Sequence, residues 1–201
     1  MSSRPVDLPP DVSGSWTVAG SEDLYRGDWI VALRKDAIRA PEDPDGDTFD
    51  RWVFEHPGAV IVLAVDDDEH VACVRQYRHP ASGTYLELPA GLRDADGEDP
   101  LDTAKRELLE EVELEATEWR QLFALWPSAG ITAERHVFFL ARGLTPGDRG
   151  DFALEHEEAA MEMLWVPIDD LVDAVLDGRV TEEPIAVAVL AYDALRRRDR
   201  L

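Results

Sequence analysis

The stretch that follows Pro100 has the apolar spacing of an amphipathic helix. Apolar residues recur there three or four positions apart, at Leu101, Ala104, Leu108 and Val112. This spacing places them on one helical face, which is therefore expected to be buried. Proline is tolerated in a first helical turn, and Asp99 before it is suited to cap the helix. The pattern predicts a helix that begins at Pro100.

Other runs along the chain predict strands and two more helices. Three β-like runs come first, and a continuous apolar run then predicts a central buried strand, at 16–25, 29–39, 48–56 and 58–65. Further strands are expected at 70–77, 118–126, 135–141 and 161–166, and amphipathic helices at 168–176 and 184–198. This order predicts the α/β class, an α/β/α sandwich with a mixed sheet and helices on both of its faces.

The same pattern divides the chain into three parts. Residues 1–15 are rich in proline and serine and are expected to be flexible. Residues 16–56 are expected to form a small antiparallel β subdomain, and residues 57–201 the main domain. Because three strands alone bury little surface, the subdomain should pack on the main domain or on a second subunit.

Composition and charge exclude some classes of function. The 201 residues are 45% hydrophobic, which is enough for a core, and they contain no run of about 18 apolar residues that could span a membrane. The N-terminus lacks the apolar segment of a signal peptide, so a cytoplasmic protein is expected. The net charge of −23 argues against nucleic-acid binding, which needs a cationic surface. An anionic substrate would need bound cations and local arginines to reverse the sign of the field.

Three glutamates, Glu107, Glu110 and Glu111, fall on a second face of the predicted helix. Like charges at this spacing cost roughly 0.2–0.5 kcal/mol per pair, which suggests a counter-cation. Among cations, Mg²⁺ is well suited to carboxylate oxygens. A glutamate-rich helical face is more often simply solvated, so the spacing alone leaves both interpretations open.

The chain around this helix resembles the Nudix box, the signature of the Nudix hydrolases. The family pattern is Gly, five residues, Glu, seven residues and then Arg-Glu-apolar-any-Glu-Glu-any-Gly-apolar. The sequence matches this pattern at Gly91, Glu98, Arg106, Glu107, Leu108, Glu110, Glu111 and Leu114. It departs twice, because six residues separate Gly91 from Glu98 and because Glu113 replaces the family's last glycine. Neither departure removes a carboxylate, but the second removes an easy helix exit and is expected to affect where the helix ends.

The resemblance extends to the ADP-ribose pyrophosphatase branch of the Nudix hydrolases. It rests on Val74-Arg75-Gln76-Tyr77-Arg78, Glu87-Leu88-Pro89-Ala90-Gly91, Pro127-Ser128-Ala129-Gly130 with Glu134, Glu155-His156-Glu157-Glu158 and Trp165-Val166-Pro167. In that branch the N-terminal strands are exchanged across a homodimer, so that both subunits build each site. The resemblance therefore implies the Nudix fold and a homodimer.

The resemblance also implies a divalent metal site. Glu107, Glu111 and the backbone carbonyl of Ala90 would hold Mg²⁺, with Mn²⁺ as the alternative ion. Glu110 would hold a second ion and so take part in catalysis. Such ions would neutralise a pyrophosphate and lower the pKa of bound water.

Other members of the motif and of the acidic loop receive different roles from the resemblance. Gly91 is structural, and Glu98 and Arg106 are expected to pair and to fix the loop before the helix. Glu157 or Glu158 is the candidate general base, in a loop able to close over substrate. An exposed acidic turn is the alternative for this pair.

The candidate substrate contacts lie outside the Nudix box. Arg78 is expected to meet the pyrophosphate because its planar fork suits phosphate oxygens, and a salt bridge at the end of a strand is the alternative. Glu134 is a further candidate for substrate binding. Trp29 from a partner subunit, and Trp52 or Phe54, which share a strand face, are candidates to stack on adenine. Aromatic residues in strands are more often part of a core.

The resemblance implies a Mg²⁺-dependent hydrolase that cleaves the pyrophosphate bond of ADP-ribose to AMP and ribose 5-phosphate. Its partner would be a small nucleotide sugar, with no nucleic acid and no membrane. One alternative is hydrolysis of another nucleoside diphosphate sugar or of a dinucleotide. The other is a nucleotide sensor with a Nudix fold that does not cleave its ligand, and the retained carboxylates argue against it.

Overall fold

The computed structural model describes residues 8–11, 14, 16–27, 31–95, 97–154 and 156–201. The chain divides into two compact units, Met1–Phe54 and Glu55–Leu201. Within the described residues, no helix is both long enough and apolar enough to cross a membrane.

The N-terminal unit contains a three-stranded sheet. Its strands, β1 (Thr17–Arg26), β2 (Ala32–Arg39) and β3 (Phe49–Glu55), lie in the order β1-β2-β3. β1 pairs antiparallel with β2, and every residue of β1 is exposed. This sheet corresponds to the small β subdomain that the sequence predicts.

The second unit contains two sheets. Their strands are β4 (Ala59–Ala64), β5 (His70–Arg78), β6 (Gly83–Glu87), β7 (Ala90–Leu92), β8 (Leu114–Leu125), β9 (His136–Pro146) and β10 (Glu162–Pro167). The mixed sheet has the order β7-β4-β9-β8, in which β4 and β9 are parallel and the two edge strands antiparallel to them. The other sheet, β10-β5-β6, is antiparallel throughout.

Three helices cover the two faces of β4. They are α1 (Pro100–Val112), α2 (Ile168–Leu176) and α3 (Glu183–Arg196). Successive residues of β4 point to opposite sides. Val60 and Val62 belong to the cluster that contains the apolar face of α1, whereas Ile61 and Leu63 belong to the cluster of α2 and α3. The predicted α/β class with helices on both faces is therefore confirmed.

Both ends of α1 follow from local chemistry. The side chain of Asp99 accepts a hydrogen bond from the N–H of Leu101 at 2.8 Å, so the predicted cap is confirmed. The helix ends directly before Glu113, which adopts the left-handed conformation (φ 54°, ψ 42°) that glycine adopts most readily. Arg149 donates to the carbonyl of Glu110 at 2.7 Å and to the Glu113 carboxylate at 2.8 Å. An ion pair thus holds the residue that replaces the family's glycine.

Candidate active site

Two carboxylates of α1 are buried one helical turn apart. Glu107 and Glu111 are only 9% and 8% exposed. Burial raises the pKa of Glu107 to about 7, although the charge of Arg106 opposes this shift. Burial also raises the pKa of Glu111 well above its usual value, and repulsion from Glu107 adds to the effect. Because their charged forms are unfavourable here, a bound cation at this place would be strongly stabilised.

The backbone of β7 closes one side of this pair. The N–H of Ala90 donates to Glu111 Oε2 at 2.9 Å. A Cβ atom at Gly91 would stand 2.0 Å from Cδ of Glu107. Only glycine therefore lets the strand approach the carboxylate this closely.

Arg106 lies among three carboxylates of the motif. Its Nη1 atom is 2.7 Å from Glu107 Oε1 and 3.0 Å from Glu110 Oε2. Its Nη2 atom is 3.6 Å from Glu98 Oε2, which also accepts a hydrogen bond from the Thr103 hydroxyl at 2.8 Å. Glu98 and Arg106 thus lie within ion-pair distance. Arg106 also forms ion pairs with Glu107 and Glu110, which the resemblance assigns to metal binding.

The donor atoms of this cluster suit a hard divalent cation. They are carboxylate oxygens on α1, next to the backbone of β7, and such oxygens are the ligands that Mg²⁺ and Mn²⁺ prefer. In the described part of the chain, no three acidic, histidine or cysteine side chains already stand in the arrangement of a metal site. Arg106 forms an ion pair with Glu107, and its guanidinium would compete with a metal for the same carboxylate oxygen. The residues therefore fit a divalent cation, provided that Arg106 releases Glu107.

The acidic loop contributes one glutamate to this cluster. A short 3₁₀ helix spans His156–Ala160 and carries both candidate bases. Glu158 is half-buried, and its charge contributes to the raised pKa of both Glu107 and Glu111. Glu157 is exposed and is not among the main causes of either pKa shift. The geometry therefore favours Glu158 over Glu157.

Arg78 lies at the end of β5 and faces the same carboxylates. Its Nε atom donates to both carboxylate oxygens of Glu87, at 3.0 and 3.1 Å, and its Nη2 atom donates to Oε2 at 2.6 Å. The positive charge of Arg78 also lowers the pKa of Glu111, which indicates that the two residues are close. The salt bridge that was the alternative for Arg78 is thus present.

Glu134 lies in a separate cluster with two histidines. Its Oε1 atom is 2.9 Å from His136 Nε2 and 3.5 Å from His56 Nδ1. The hydrogen bond from His136 lowers the pKa of Glu134. His136 therefore positions the Glu134 carboxylate.

The aromatic candidates belong to the N-terminal unit. Trp52 and Phe54 lie on β3, and their exposed fractions are 56% and 38%. Exposure leaves these rings accessible to a nucleobase, and their stacking role stays a prediction. Trp29 lies outside the described residues.

Two acidic residues near Arg78, one buried and one partly buried, were not predicted as functional. Glu87 is 4% exposed, and Glu182, the N-cap of α3, is near enough to influence the pKa of Arg78. A charge inside the apolar β-type run 85–88 is a signal that could have drawn attention to Glu87. For Glu182 the sequence contains no comparable signal, because its neighbours come from distant strands.

Comparison with known families decides the class of this site. A model of the NUDIX domain matches residues 55–186, which include α1, β7 and the acidic loop. The chain belongs to the Nudix family. The α1 carboxylates are therefore those of a Nudix box.

Two curated relatives carry the same name. The ADP-ribose pyrophosphatase of Mycobacterium tuberculosis is 42% identical, over 87% of this chain and 82% of the relative. The ADP-ribose pyrophosphatase of Bacillus subtilis is 34% identical, over 84% of this chain and 87% of the relative. Similarity of this extent covers most of the chain.

A solved structure supports the fold. The crystal structure of an ADP compounds hydrolase superposes with a TM-score of 0.73, over 96% of this chain and 100% of that one. The two sequences are 20% identical, so the likeness concerns the Nudix fold alone.

Proposed function

We propose that this Nudix protein hydrolyses the pyrophosphate bond of ADP-ribose and releases AMP and ribose 5-phosphate. The observation that carries the proposal is the pair of buried carboxylates, Glu107 and Glu111, against the backbone of β7. The names of the two relatives described above support the substrate.

A divalent cation, Mg²⁺ or Mn²⁺, is part of the proposal. Glu107, Glu111 and the backbone carbonyl of Ala90 would hold it, and Glu110 would hold a second ion. When bound there, such a cation neutralises charge on the diphosphate and lowers the pKa of a bound water. Burial of Glu107 and Glu111 excludes bulk water from this part of the site, which strengthens electrostatic interactions within it.

Glu158 is the general base in this proposal, with Glu157 as the alternative. The base takes a proton from the water whose oxygen bonds to phosphorus, and the bond from that phosphorus to the bridging oxygen breaks. The leaving phosphate departs with the electron pair of the broken bond. Glu158 is half-buried beside Glu107 and Glu111, which suits a residue that must meet a water held near them.

Several of the candidate residues would bind the substrate. Arg78 would contact the diphosphate, and Glu134 would bind another part of the substrate. Trp52 or Phe54, and Trp29 of a second subunit, would stack on the adenine. This last part of the proposal requires a homodimer that exchanges its N-terminal strands.

The substrate is tested by incubating the protein with ADP-ribose, other nucleoside diphosphate sugars and dinucleotides in the presence of Mg²⁺. AMP should appear fastest from ADP-ribose. If another substrate is turned over well and ADP-ribose is not, the proposed substrate is wrong, but the proposal of a Nudix hydrolase is retained. Glu107→Gln separates an enzyme from a sensor, because it should abolish turnover in the enzyme and leave the affinity of a sensor largely intact.

The base is tested with a matched pair of variants. Glu158→Gln should lower kcat by about 10²–10⁴-fold, as expected for loss of a general base, while Glu157→Gln should leave kcat nearly unchanged. The reverse result would assign the base to Glu157.

A further inference from the structure

Glu87 is a buried acidic residue whose only described polar partner is Arg78. It ends β6, its side chain is 5% exposed, and the Arg78 side chain is 47% exposed. The three contacts between them join one edge of the guanidinium, Nε and Nη2, to the two carboxylate oxygens. A half-exposed arginine is thus anchored at one edge by a carboxylate inside the protein.

The contacts leave the other edge of the guanidinium open. Arginine has five N–H groups, and the pairing with Glu87 uses one on Nε and one on Nη2. One N–H group of Nη1 and the second one of Nη2 point in the same direction and form a fork of the kind that binds two phosphate oxygens together. Glu87 stands three residues before Ala90, whose N–H donates to Glu111 Oε2 at 2.9 Å, so the anchored Arg78 lies in the same region of the fold as the α1 carboxylates.

We propose that Glu87 is a positioning residue, which holds the Arg78 guanidinium so that its free edge receives a phosphate group of the substrate. This inference rests on the proposed function, because it takes the substrate to be a nucleoside diphosphate sugar. A surface arginine normally samples many rotamers and loses this conformational entropy when it binds a ligand. When its fork is already fixed in the free protein, this entropy loss no longer opposes binding.

The charge of Glu87 should affect substrate binding in the direction opposite to its positioning role. Glu87 carries a negative charge close to the place where an anion binds. If charge alone mattered, its removal would strengthen substrate binding. If orientation matters more, its removal weakens binding even though the local charge becomes more favourable. The sign of the change in KM therefore distinguishes the two effects.

The test compares Glu87→Gln, which keeps the length and removes the charge, with Glu87→Asp, which keeps the charge and shortens the reach. Both should raise KM by about tenfold and change kcat much less, because a phosphate contact made in the ground state and in the transition state acts on KM. Glu162→Gln is the matched control, since it breaks the exposed pair with Arg75 on the same strand β5, 3.6 Å apart. This control should change KM by less than about twofold.

A double-variant cycle shows whether Glu87 acts through Arg78. In an Arg78→Ala background, Glu87 no longer has a guanidinium to orient, and only its repulsion of the anion remains. Glu87→Gln should therefore lower KM in that background, opposite to its effect in the natural protein. The proposal is overturned if folded Glu87→Gln protein has an unchanged or lower KM, or if the increase persists when Arg78 is absent. If Glu87→Gln does not fold, as judged by circular dichroism, Glu87→Asp decides by the same criteria.

Failure of the proposed function remains distinguishable from failure of this inference. If the natural protein prefers another nucleoside diphosphate sugar, the same KM comparisons are made with that substrate. If it hydrolyses none, the Nε–H signal of Arg78 in the free protein, identified by its absence from Arg78→Ala, is measured by NMR. An anchored guanidinium predicts slow exchange of this hydrogen with water in the natural protein and in Glu162→Gln, and fast exchange in Glu87→Gln. Equal exchange in all three proteins would reject the positioning role.

Discussion

At the scale of single residues, the site contains carboxylates whose burial is unfavourable for the stability of the fold. Glu107 and Glu111 are buried, and burial together with their mutual repulsion raises the pKa of Glu111, so that its charged form is unfavourable. Arg106 relieves part of this repulsion through its ion pair with Glu107. The position of each carboxylate is therefore explained better by the proposed metal chemistry than by stability.

Gly91→Ala tests how closely β7 must approach α1. The added Cβ would overlap the Glu107 carboxylate, which lies 2.0 Å from its position, and would push that side chain out of the site. Turnover should fall by about 10–100-fold, as for other changes that misplace a metal ligand, while circular dichroism shows a folded protein. Gly20→Ala is the matched control, because a Cβ there meets nothing within 4 Å. Full activity of Gly91→Ala would contradict the placement of Glu107.

The buried cap of α3 gives a pH dependence of stability. Glu182 accepts a hydrogen bond from the N–H of Ile185 at 3.0 Å, and burial raises its pKa to about 7 from a usual value of 4.5. The folded state therefore binds a proton that the unfolded state has already released between these two values. The contribution of Glu182 to the free energy of unfolding is fully present below pH 4.5 and is lost as the pH rises through about 7.

Glu182→Gln removes this titration and keeps an oxygen that can cap α3. Relative to the variant, the natural protein should lose roughly 2–3 kcal/mol of unfolding free energy between about pH 5 and pH 8. Urea unfolding of both proteins at several pH values measures the difference. A difference that stays constant with pH would show that the Glu182 pKa is ordinary.

The pairings among these residues could not be predicted from the sequence. Helical spacing was sufficient to place Glu107 and Glu111 on one side of α1, because the two residues are about one helical turn apart in the sequence. The contact of Arg78 with Glu87, and the approach of Glu158 to Glu107, depend on how separate elements pack. No local pattern records such distances, so the pairing of Glu87 with Arg78 could not be predicted and Glu157 could not be separated from Glu158.

At the scale of elements, α1 was predictable and the division of strands into sheets was not. The start of α1 follows from Asp99 and Pro100, whose effects act within one turn. The sheet β10-β5-β6 joins β10 to two strands that lie far before it in the chain, and the same apolar runs would fit a single larger sheet equally well. Pairing of this kind is decided by packing, which the run of apolar residues does not specify.

The C-terminal end of α1 provides a test at this scale. Glu113→Gly removes the strain of a left-handed residue, but it also removes the ion pair with Arg149 and makes the unfolded chain more flexible. These effects oppose one another, so thermal unfolding should show a change within about 1 kcal/mol, and kcat should change little. Glu113→Ala keeps the strain and loses the pair, so it should be the less stable variant. A large gain in rate for Glu113→Gly would mean that the helix end limits turnover.

At the scale of the whole molecule, the charge of −23 opposes an anionic substrate. Around the Nudix box, carboxylates also outnumber the nearby arginines, Arg78 and Arg106. Repulsion should slow the approach of ADP-ribose even where bound cations make the final contacts favourable.

Salt should therefore increase the catalytic efficiency. We expect kcat/KM for ADP-ribose to rise a few-fold between about 10 mM and about 150 mM ionic strength, because added ions screen the repulsion over that range. kcat should stay constant, and the divalent metal is kept saturating throughout. A fall in kcat/KM with salt would show that the field at the entrance is attractive.

The central claim is that the buried carboxylates of α1 hold a divalent cation. Anomalous diffraction from crystals soaked in Mn²⁺ tests it most directly. The predicted result is a metal peak bound by Glu107, Glu111 and the backbone carbonyl of Ala90, and absent from Glu107→Gln crystals. Carboxylates that face solvent with no peak between them, in crystals of active protein, would contradict the claim.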